Sequence, residues 1–343
     1  MGVLKWLHIS DLHLKQPFGK GPHDFWNEHF ESLLADIRKS CLHYGFTPLA
    51  VFVTGDITYQ GHDAEFAQAK AELGKLLQAV GLDGRRDRLF VVPGNHDVNW
   101  QKQTLLPIEQ RDHWLEEDAS YETMHRILES AGDRETMLKG LSGFARFAHE
   151  YCGENVWQDA LNPLSPSYGS DFFVRPLAIA DGDVAAIIGL NSALCSAKGY
   201  DQGRLFLGRG TVLRALTKEV ELMVPAAAVR VVLMHHPVYW LADQEIREVS
   251  PIIAEHSDYV LHGHLHCPLS YLVKTPDKAI RSWATGPEHD SQRTLTTYNF
   301  GELDTATRKG RMILRARDSA TLKWHADDLL YENMVDGVLN VAF

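Results

Sequence analysis

Short apolar runs, each closed by a polar cluster, recur along this chain. The runs are rich in Val, Ile and Leu and are followed closely by Gly or Pro, a pattern typical of buried strands. They cover residues 3–9, 49–54, 89–92, 185–190, 231–234 and 259–261. Helical periodicity lies between them at residues 25–44, 64–80 and 211–223. The alternation predicts an α/β protein whose polar clusters gather at the carboxyl ends of the strands.

Two regions break this alternation. Residues 101–160 have helical stretches, at 113–129 and 134–151, and little strand character, which predicts an inserted helical cap. Residues 270–326 contain short strand-like runs separated by turns, which predicts a second, antiparallel sheet layer. We therefore expect one domain over residues 1–326 and a C-terminal tail over residues 327–343.

The polar clusters consist of residue types that bind metals. They are Asp11-x-His13, Gly55-Asp56, Gly94-Asn95-His96-Asp97, His235-His236-Pro237 and Gly263-His264-x-His266. One spacer residue in an extended chain puts two ligands on the same side, as in the first and last clusters. A two-metal hydrolase needs N and O ligands from several strand ends and one carboxylate shared between the ions. The clusters therefore predict a site for a pair of divalent ions.

In this order the clusters resemble the motif series of the calcineurin-like metallophosphoesterases. The similarity runs from residue 8 to residue 266, about three quarters of the chain. Each motif alone is weak evidence, whereas all five in order, each after a predicted strand, are a strong signal. The resemblance implies a phosphoric ester hydrolase with a four-layer αββα sandwich and a helical insertion. The Gly-Asn-His-Asp motif and Asn191-Ser192 are similar to the class III cyclic-nucleotide phosphodiesterase branch.

The resemblance also implies which residues hold the two ions. For the first ion they are Asp11, His13, Asp56 and His266, and for the second they are Asp56, Asn95, His235 and His264. His235 is preferred to His236 because relatives with a single histidine carry it two positions before the proline. A mixed imidazole and carboxylate shell suits Mn, Fe, Zn, Ni or Co, with Mn favoured, and argues against Ca or Mg alone.

Two further residues are implied in catalysis. The resemblance implies that His96 lies beside the phosphate, stabilises charge in the transition state and helps to protonate the leaving oxygen. Asp97 is expected to orient His96. The expected reaction is in-line attack on phosphorus by a metal-bound hydroxide, without a covalent enzyme intermediate.

Charge, cysteine pattern and hydropathy bear on the partners and the location of the protein. The formal net charge is −11 and there is no run of five Lys or Arg residues, so a basic nucleic-acid face is not evident. The four cysteines are scattered, which favours reduced thiols and a cytoplasmic location. No apolar run approaches the roughly 18 residues of a membrane span.

Three functions compete at this stage. The leading one is a phosphodiesterase for a small nucleotide-type ester, with a cyclic nucleotide among the candidates. A DNA or RNA nuclease of the same superfamily is the enzymatic alternative. The third is an interaction or sensor module of a larger signalling or defence system, with residues 101–160 as a docking or oligomerisation surface. A protein serine/threonine phosphatase is disfavoured because that branch typically has Asp-Arg-Gly after its Gly-Asp, whereas this chain reads Gly55-Asp56-Ile57-Thr58-Tyr59-Gln60-Gly61.

Overall fold

Alternating strands and helices make up the fold. The computed structural model describes residues 2–15, 23–102, 130, 136–152, 171–197, 201–265, 270–274, 279–285, 296–318 and 320–342. The strands are β1 (Val3–Ile9), β2 (Ala50–Thr54), β3 (Leu89–Val92), β4 (Phe172–Ala178), β5 (Val184–Leu190), β6 (Val229–Leu233), β7 (Tyr259–His262), β8 (Ser270–Lys274), β9 (Ala279–Ala284), β10 (Thr296–Asp304), β11 (Lys309–Arg317), β12 (Trp324–Ala326) and β13 (Val338–Ala342). The helices are α1 (His23–His43), α2 (Asp63–Ala79), α3 (Ser142–Cys152), α4 (Arg209–Arg214), α5 (Val220–Met223) and α6 (Asp243–His256), with a π-helical turn, Ala215–Glu219, between α4 and α5.

The strands form two mixed sheets, each with a run of adjacent parallel strands. The first sheet has the order β12-β11-β10-β1-β2-β3, with β13 also paired to β11. The second has the order β4-β5-β6-β7-β9-β8. In the first sheet β1, β2 and β3 are parallel, and in the second β5, β6, β7 and β9 are parallel. Two sheets with covering helices agree with the predicted α/β metallophosphoesterase sandwich.

The strands of residues 270–326 do not form a separate sheet layer, contrary to the sequence prediction. β8 and β9 complete the second sheet, whereas β10, β11 and β12 extend the first. Each addition pairs the backbone of β1 or β7, which would otherwise be an open edge. Residues 327–343 are also more than a tail, because β13 pairs with β11 from Lys309↔Ala342 to Ile313↔Val338. The domain limits themselves stay a prediction.

The central strands are buried on both faces, which explains their nearly unbroken apolar sequences. Ile187 of β5 and Val231 of β6 belong to the core that also contains β1, whereas their neighbours Ile188 and Val232 belong to the core that contains α4 and α6 residues. Trp6 of β1 joins the two sheets because its ring meets the Tyr259 ring edge-on at 5.5 Å.

The helical insertion is described only in part. The predicted helix over residues 113–129 lies outside the described residues, and the one over 134–151 corresponds to α3 and a helical turn at 136–138. Helix α3 packs on α2 through stacked Phe66 and Phe147 rings, whose centroids are 5.3 Å apart. Its aromatic residues therefore serve helix packing here. Among the described helices, none combines the length and the apolar character that crossing a bilayer requires.

Candidate metal centre

The ends of parallel strands bring six of the seven predicted metal ligands together. Asp11 and His13 follow β1, Asp56 follows β2, Asn95 follows β3, His235 follows β6 and His264 follows β7. Short side-chain contacts link all six in one network. The seventh, His266, lies outside the described residues.

Four of these residues adopt a left-handed backbone conformation. The φ angles are 59° at Asp11, 46° at His13, 51° at Asp56 and 68° at His264. Such a conformation costs roughly 1–3 kcal/mol for a residue other than glycine and is concentrated at functional sites. Backbone hydrogen bonds from Asp11 to the Gly55 carbonyl (3.0 Å) and from His13 to the Asp56 carbonyl (2.9 Å) hold the first two turns together.

Asp56 lies at the centre of the network. Its Oδ1 accepts a hydrogen bond from the backbone N–H of His96 at 2.7 Å. Its Oδ2 lies 3.3 Å from His235 Nε2 and 3.9 Å from His13 Nε2. One carboxylate oxygen therefore faces imidazoles from both predicted ligand sets.

The second predicted set converges on the same imidazole. His235 Nε2 lies 3.1 Å from Asn95 Oδ1 and 3.2 Å from His264 Nδ1. The other ring nitrogen, Nδ1, donates to the Thr54 carbonyl at 2.7 Å. Because a carbonyl can only accept, Nδ1 carries the hydrogen of this bond and Nε2 is the ring nitrogen that faces the network.

Glycines allow the motif loops to approach so closely. A Cβ on Gly94 would collide with the Asp56 carboxylate, and one on Gly263 would collide with Ser10 Oγ and the Asp11 carboxylate. The Asp11 Oδ2 atom also accepts a hydrogen bond from the backbone N–H of His264 at 3.1 Å. The glycines in these two motifs are therefore required by packing against the site as well as by chain direction.

The electrostatics of the network favour a bound cation. Burial would raise the pKa of Asp56, yet the imidazoles of His235, His13 and His96 hold it well below its usual value. Burial would lower the pKa of His235, yet the Asp56 carboxylate, with Asp11 beyond it, raises that pKa to about 9. The buried anions thus hold a proton, which a divalent ion at the same place would displace. Carboxylate, amide and imidazole donors fit ions of the manganese-to-zinc series.

The neighbouring His236 has a different role from His235. Ser192 Oγ accepts hydrogen bonds from the backbone N–H groups of His235 (3.2 Å) and His236 (3.0 Å). With both lone pairs used, its own hydrogen is directed to His236 Nδ1, 3.1 Å away. Burial, followed by the nearby His264 and His235, holds the pKa of His236 well below its usual value, so the ring is neutral with hydrogen on Nε2. His235 Nε2 faces the Asp56 carboxylate at 3.3 Å, so the geometry favours His235 as the ligand.

His96 is oriented by a backbone carbonyl rather than by Asp97, which corrects the sequence prediction. Its Nδ1 donates to the Tyr59 carbonyl at 2.8 Å. The Asp97 carboxylate instead accepts from the backbone of Ile57, Thr58 and Gly94 at 3.2, 2.9 and 2.9 Å. Burial and the Asp56 charge raise the pKa of Asp97 to about 7. Asp97 therefore ties two motif loops together and does not touch the His96 ring.

A cavity of about 870 Å³ opens beside the network. Asn95, His96 and His264 form part of its lining. Tyr59, Asn99, Trp100, Asp201, Arg204 and Trp240 also line it. A volume of this size lies within the usual range for small-molecule sites, about 300–1,000 Å³.

A family model agrees with this geometry over most of the chain. The model described as calcineurin-like phosphoesterase matches residues 4–268. The chain belongs to the calcineurin-like phosphoesterase family. Membership implies metal-dependent hydrolysis of a phosphate ester, with divalent ions as cofactors. A comparison of this phosphoesterase with curated proteins finds no match.

The solved structures that match this chain have low sequence identity. A predicted phosphoesterase from Streptococcus pneumoniae TIGR4 is 11% identical, with 100% of this chain and 99% of that chain covered and a TM-score of 0.33. The calcineurin-like phosphoesterase YfkN from Bacillus subtilis is 11% identical, with coverage of 99% and 90% and a TM-score of 0.40. GAP50, described as the anchor in the inner membrane complex of Plasmodium, is 11% identical, with coverage of 96% and 88% and a TM-score of 0.44.

Sequence reasoning missed the groups that orient the histidines of the site. They are the carbonyls of Thr54 and Tyr59 and the hydroxyl of Ser192. A backbone carbonyl leaves no signature in a sequence. Ser192 did carry a weak one, because it directly follows an apolar run in the same way as the ligands do.

Proposed function

We propose that this phosphoesterase is a dinuclear phosphodiesterase that hydrolyses a nucleotide-type phosphate diester. The observation that carries the proposal is the position of Asp56 Oδ2 between His13 Nε2 and His235 Nε2, at 3.9 and 3.3 Å. A carboxylate shared in this way is what two adjacent divalent ions require.

The proposed ligands are those implied by the motif series. Asp11, His13, Asp56 and His266 hold one ion, and Asp56, Asn95, His235 and His264 hold the other. Manganese is the favoured metal, since imidazole and oxygen donors are mixed. When bound, such ions supply Lewis acidity toward phosphoryl oxygens and acidify water.

His96 is the proposed proton donor. Its Nδ1 hydrogen is committed to the Tyr59 carbonyl, so Nε2 is the nitrogen available to a substrate in the cavity. An imidazole at this position donates a proton to the leaving oxygen as the P–O bond breaks, a step typically worth about 10²–10⁴ in rate. The ring belongs to the catalytic machinery but not to the proposed ligand set.

Several features support a nucleotide-type diester as the substrate. The motif Gly94-Asn95-His96-Asp97 and the pair Asn191-Ser192 resemble the cyclic-nucleotide phosphodiesterase branch. Aromatic and amide side chains line the cavity, among them Trp240 and Asn99, and these groups suit a base.

The cytoplasmic location stays a prediction from the cysteine pattern. An oligomer formed through residues 101–160 also stays a prediction.

The test uses the full chain reconstituted with Mn²⁺. We expect bis(p-nitrophenyl) phosphate to be turned over faster than p-nitrophenyl phosphate, and elemental analysis to give two ions per chain. His96→Ala should keep the metal content and lose at least about 100-fold in kcat. His256→Ala, in α6 and away from the cluster, is the matched control and should behave as wild type. Full activity of His96→Ala, or one ion per chain, would overturn the assignment.

A further inference from the structure

The cavity has an aromatic side chain on each side of the ligand network. On one side, the Tyr59 ring stacks on the His96 ring, with centroids 5.5 Å apart and planes at 28°. On the other side, the Trp240 ring meets the His264 ring edge-on, with centroids 4.1 Å apart and planes at 80°. Both rings line the same cavity as His96.

The Trp240 side is a rigid wall built from two bonded segments. Gly203 donates its N–H to the Trp240 carbonyl at 2.8 Å, and Ala242 donates to the Leu205 carbonyl at 2.9 Å. A β-bridge between Leu205 and Leu241 lies between these two bonds. The exposed cation Arg204 is therefore held on the same wall as Trp240 before any substrate arrives.

The Tyr59 side is built in a comparable way. Tyr59 donates its backbone N–H to the Leu14 carbonyl at 3.0 Å, which fixes it to the loop after β1. The Lys15 ammonium lies 4.2 Å from the centre of the Tyr59 ring. Like the Trp240 side, this wall combines an aromatic ring with a cation. The cation–π contact between them is weak at an exposed site, so a base can replace the ammonium group on the ring. Trp100 lines the cavity as a further aromatic.

We propose that the substrate is a linear phosphodiester with a nucleoside on each side of the scissile phosphate. One base packs against Tyr59 and Trp100, and the other packs against Trp240. The inference rests on the proposed phosphodiesterase activity and makes it more specific. Hydrolysis adds one water across a P–O bond and releases one chain end as a hydroxyl and the other as a phosphate monoester.

This arrangement distinguishes linear from cyclic substrates. A 3′,5′-cyclic mononucleotide has a single base, so it can use only one of the two aromatic walls. A cavity of about 870 Å³ is near the upper end of the usual range for small-molecule sites, about 300–1,000 Å³. Arg204 lines the cavity beside Trp240, and Lys15 lies next to the Tyr59 ring, so a cation near each aromatic side chain matches the phosphates that continue a strand in both directions. A free dinucleotide and the end of a single strand share this chemistry.

The first experiment compares substrates on the Mn²⁺-loaded full chain. We expect kcat/KM to be highest for a dinucleoside phosphate or a short single strand, and at least about fivefold lower when either base is replaced by an abasic sugar, the lower limit for one lost stack. Comparing kcat/KM for the dinucleoside phosphate and for an octanucleotide shows whether a free dinucleotide or the end of a single strand is the better substrate. Methyl p-nitrophenyl phosphate reports the underlying activity. No turnover of that compound would defeat the proposed function, whereas its turnover together with a preference for cyclic AMP, or indifference to the abasic sugars, would overturn only this inference.

The second experiment assigns each base to its wall. Trp240→Ala should lower kcat/KM for the dinucleoside phosphate by about five- to 100-fold more than for methyl p-nitrophenyl phosphate, the range for one lost base–aromatic stack. With one of the two abasic substrates, Trp240→Ala should lower kcat/KM no more than it does for methyl p-nitrophenyl phosphate. Tyr59→Ala should show the same behaviour with the other abasic substrate. Trp240→Phe should restore most of the loss. Tyr239→Ala, the exposed neighbour on the same turn, is the matched control. An equal loss on all substrates would mean that Trp240 is only structural, which would overturn the inference.

Discussion

Asp36 and Asp56 are both buried carboxylates, yet their charges are balanced in different ways. Asp36 of α1 receives two hydrogen bonds from the Arg315 guanidinium, at 2.7 and 3.0 Å, and one from the Tyr298 hydroxyl at 2.7 Å. In the part of the chain that the structure describes, the ion-pair and hydrogen-bond partners of the Asp56 carboxylate are imidazoles and a backbone N–H. We call Asp36, Arg315 and Tyr298 the Asp36 cluster; its permanent cation is Arg315.

The difference separates a structural ion pair from a binding site. Arginine stays charged in proteins, so Asp36 is neutralised at every physiological pH. Imidazoles can lose their proton and offer a lone pair instead, which leaves Asp56 ready for a cation from solution. The surroundings of a buried carboxylate therefore indicate whether it stabilises the fold or serves the chemistry.

The largest expected effect is that of removing the shared carboxylate. Asp56→Asn should weaken both metals together and lower turnover by more than about 100-fold, since even changes outside the ligand shell cost about 10–100-fold. Elemental analysis of the purified variant measures the ions. Asp36→Asn is the matched control, because it should lower the melting temperature and keep both ions. Two ions bound to Asp56→Asn would refute the bridging role.

Removing the cation of the Asp36 cluster should affect folding without affecting the metals. Arg315→Met leaves a buried carboxylate without its partner, which costs about 3–5 kcal/mol in the free energy of unfolding. Urea unfolding followed by circular dichroism measures this loss. Arg311→Met on the same strand removes a more exposed pair with Glu302, 3.1 Å long, and should cost less than about 1 kcal/mol. Similar losses in the two variants would contradict the contrast.

A single methyl group at Gly94 should distort the centre from outside the ligand set. The added Cβ would collide with the Asp56 carboxylate, so Gly94→Ala should reduce metal affinity by about 10–100-fold. Titration with Mn²⁺ followed by calorimetry measures the affinity. Gly74→Ala in α2, where the nearest atom is the Tyr151 hydroxyl at 3.3 Å, should leave the affinity unchanged. Unchanged affinity in Gly94→Ala would show that Asp56 has room to move.

The smallest expected effect concerns the group that holds His235 and His236. Ser192→Ala removes three hydrogen bonds and should cost about 1–3 kcal/mol of stability, the penalty for leaving buried donors unpaired. It should also weaken Mn²⁺ binding by up to about tenfold. Ser257→Ala removes a buried hydroxyl bonded to Ile253 in α6 and should lower stability alone. Equal metal affinity in both serine variants would argue against a positioning role for Ser192.

The sequence predicted which residues make up the site, but it did not predict which groups orient their side chains. Asp11, Asp56 and His235 were found because each follows an apolar strand, and the carboxyl ends of parallel strands share one edge. The orientation of His96 was assigned to Asp97 because the two are adjacent in the chain. The structure assigns it to the Tyr59 carbonyl, since the Asp97 carboxylate accepts from the backbones of two loops. Adjacency in sequence did not predict the direction of a side chain.

By itself, the sequence determined the residue types of the site, the order of strands and helices along the chain, and the family. These features follow from hydrophobic periodicity and short motifs, which are local. Tertiary structure alone decided which sheet β8 to β13 join, which groups orient the imidazoles, and that Tyr59 and Trp240 line one cavity. Each of these depends on contacts between segments distant in the chain, where edge pairing and hydrogen bonding select one arrangement among many that the same local pattern allows.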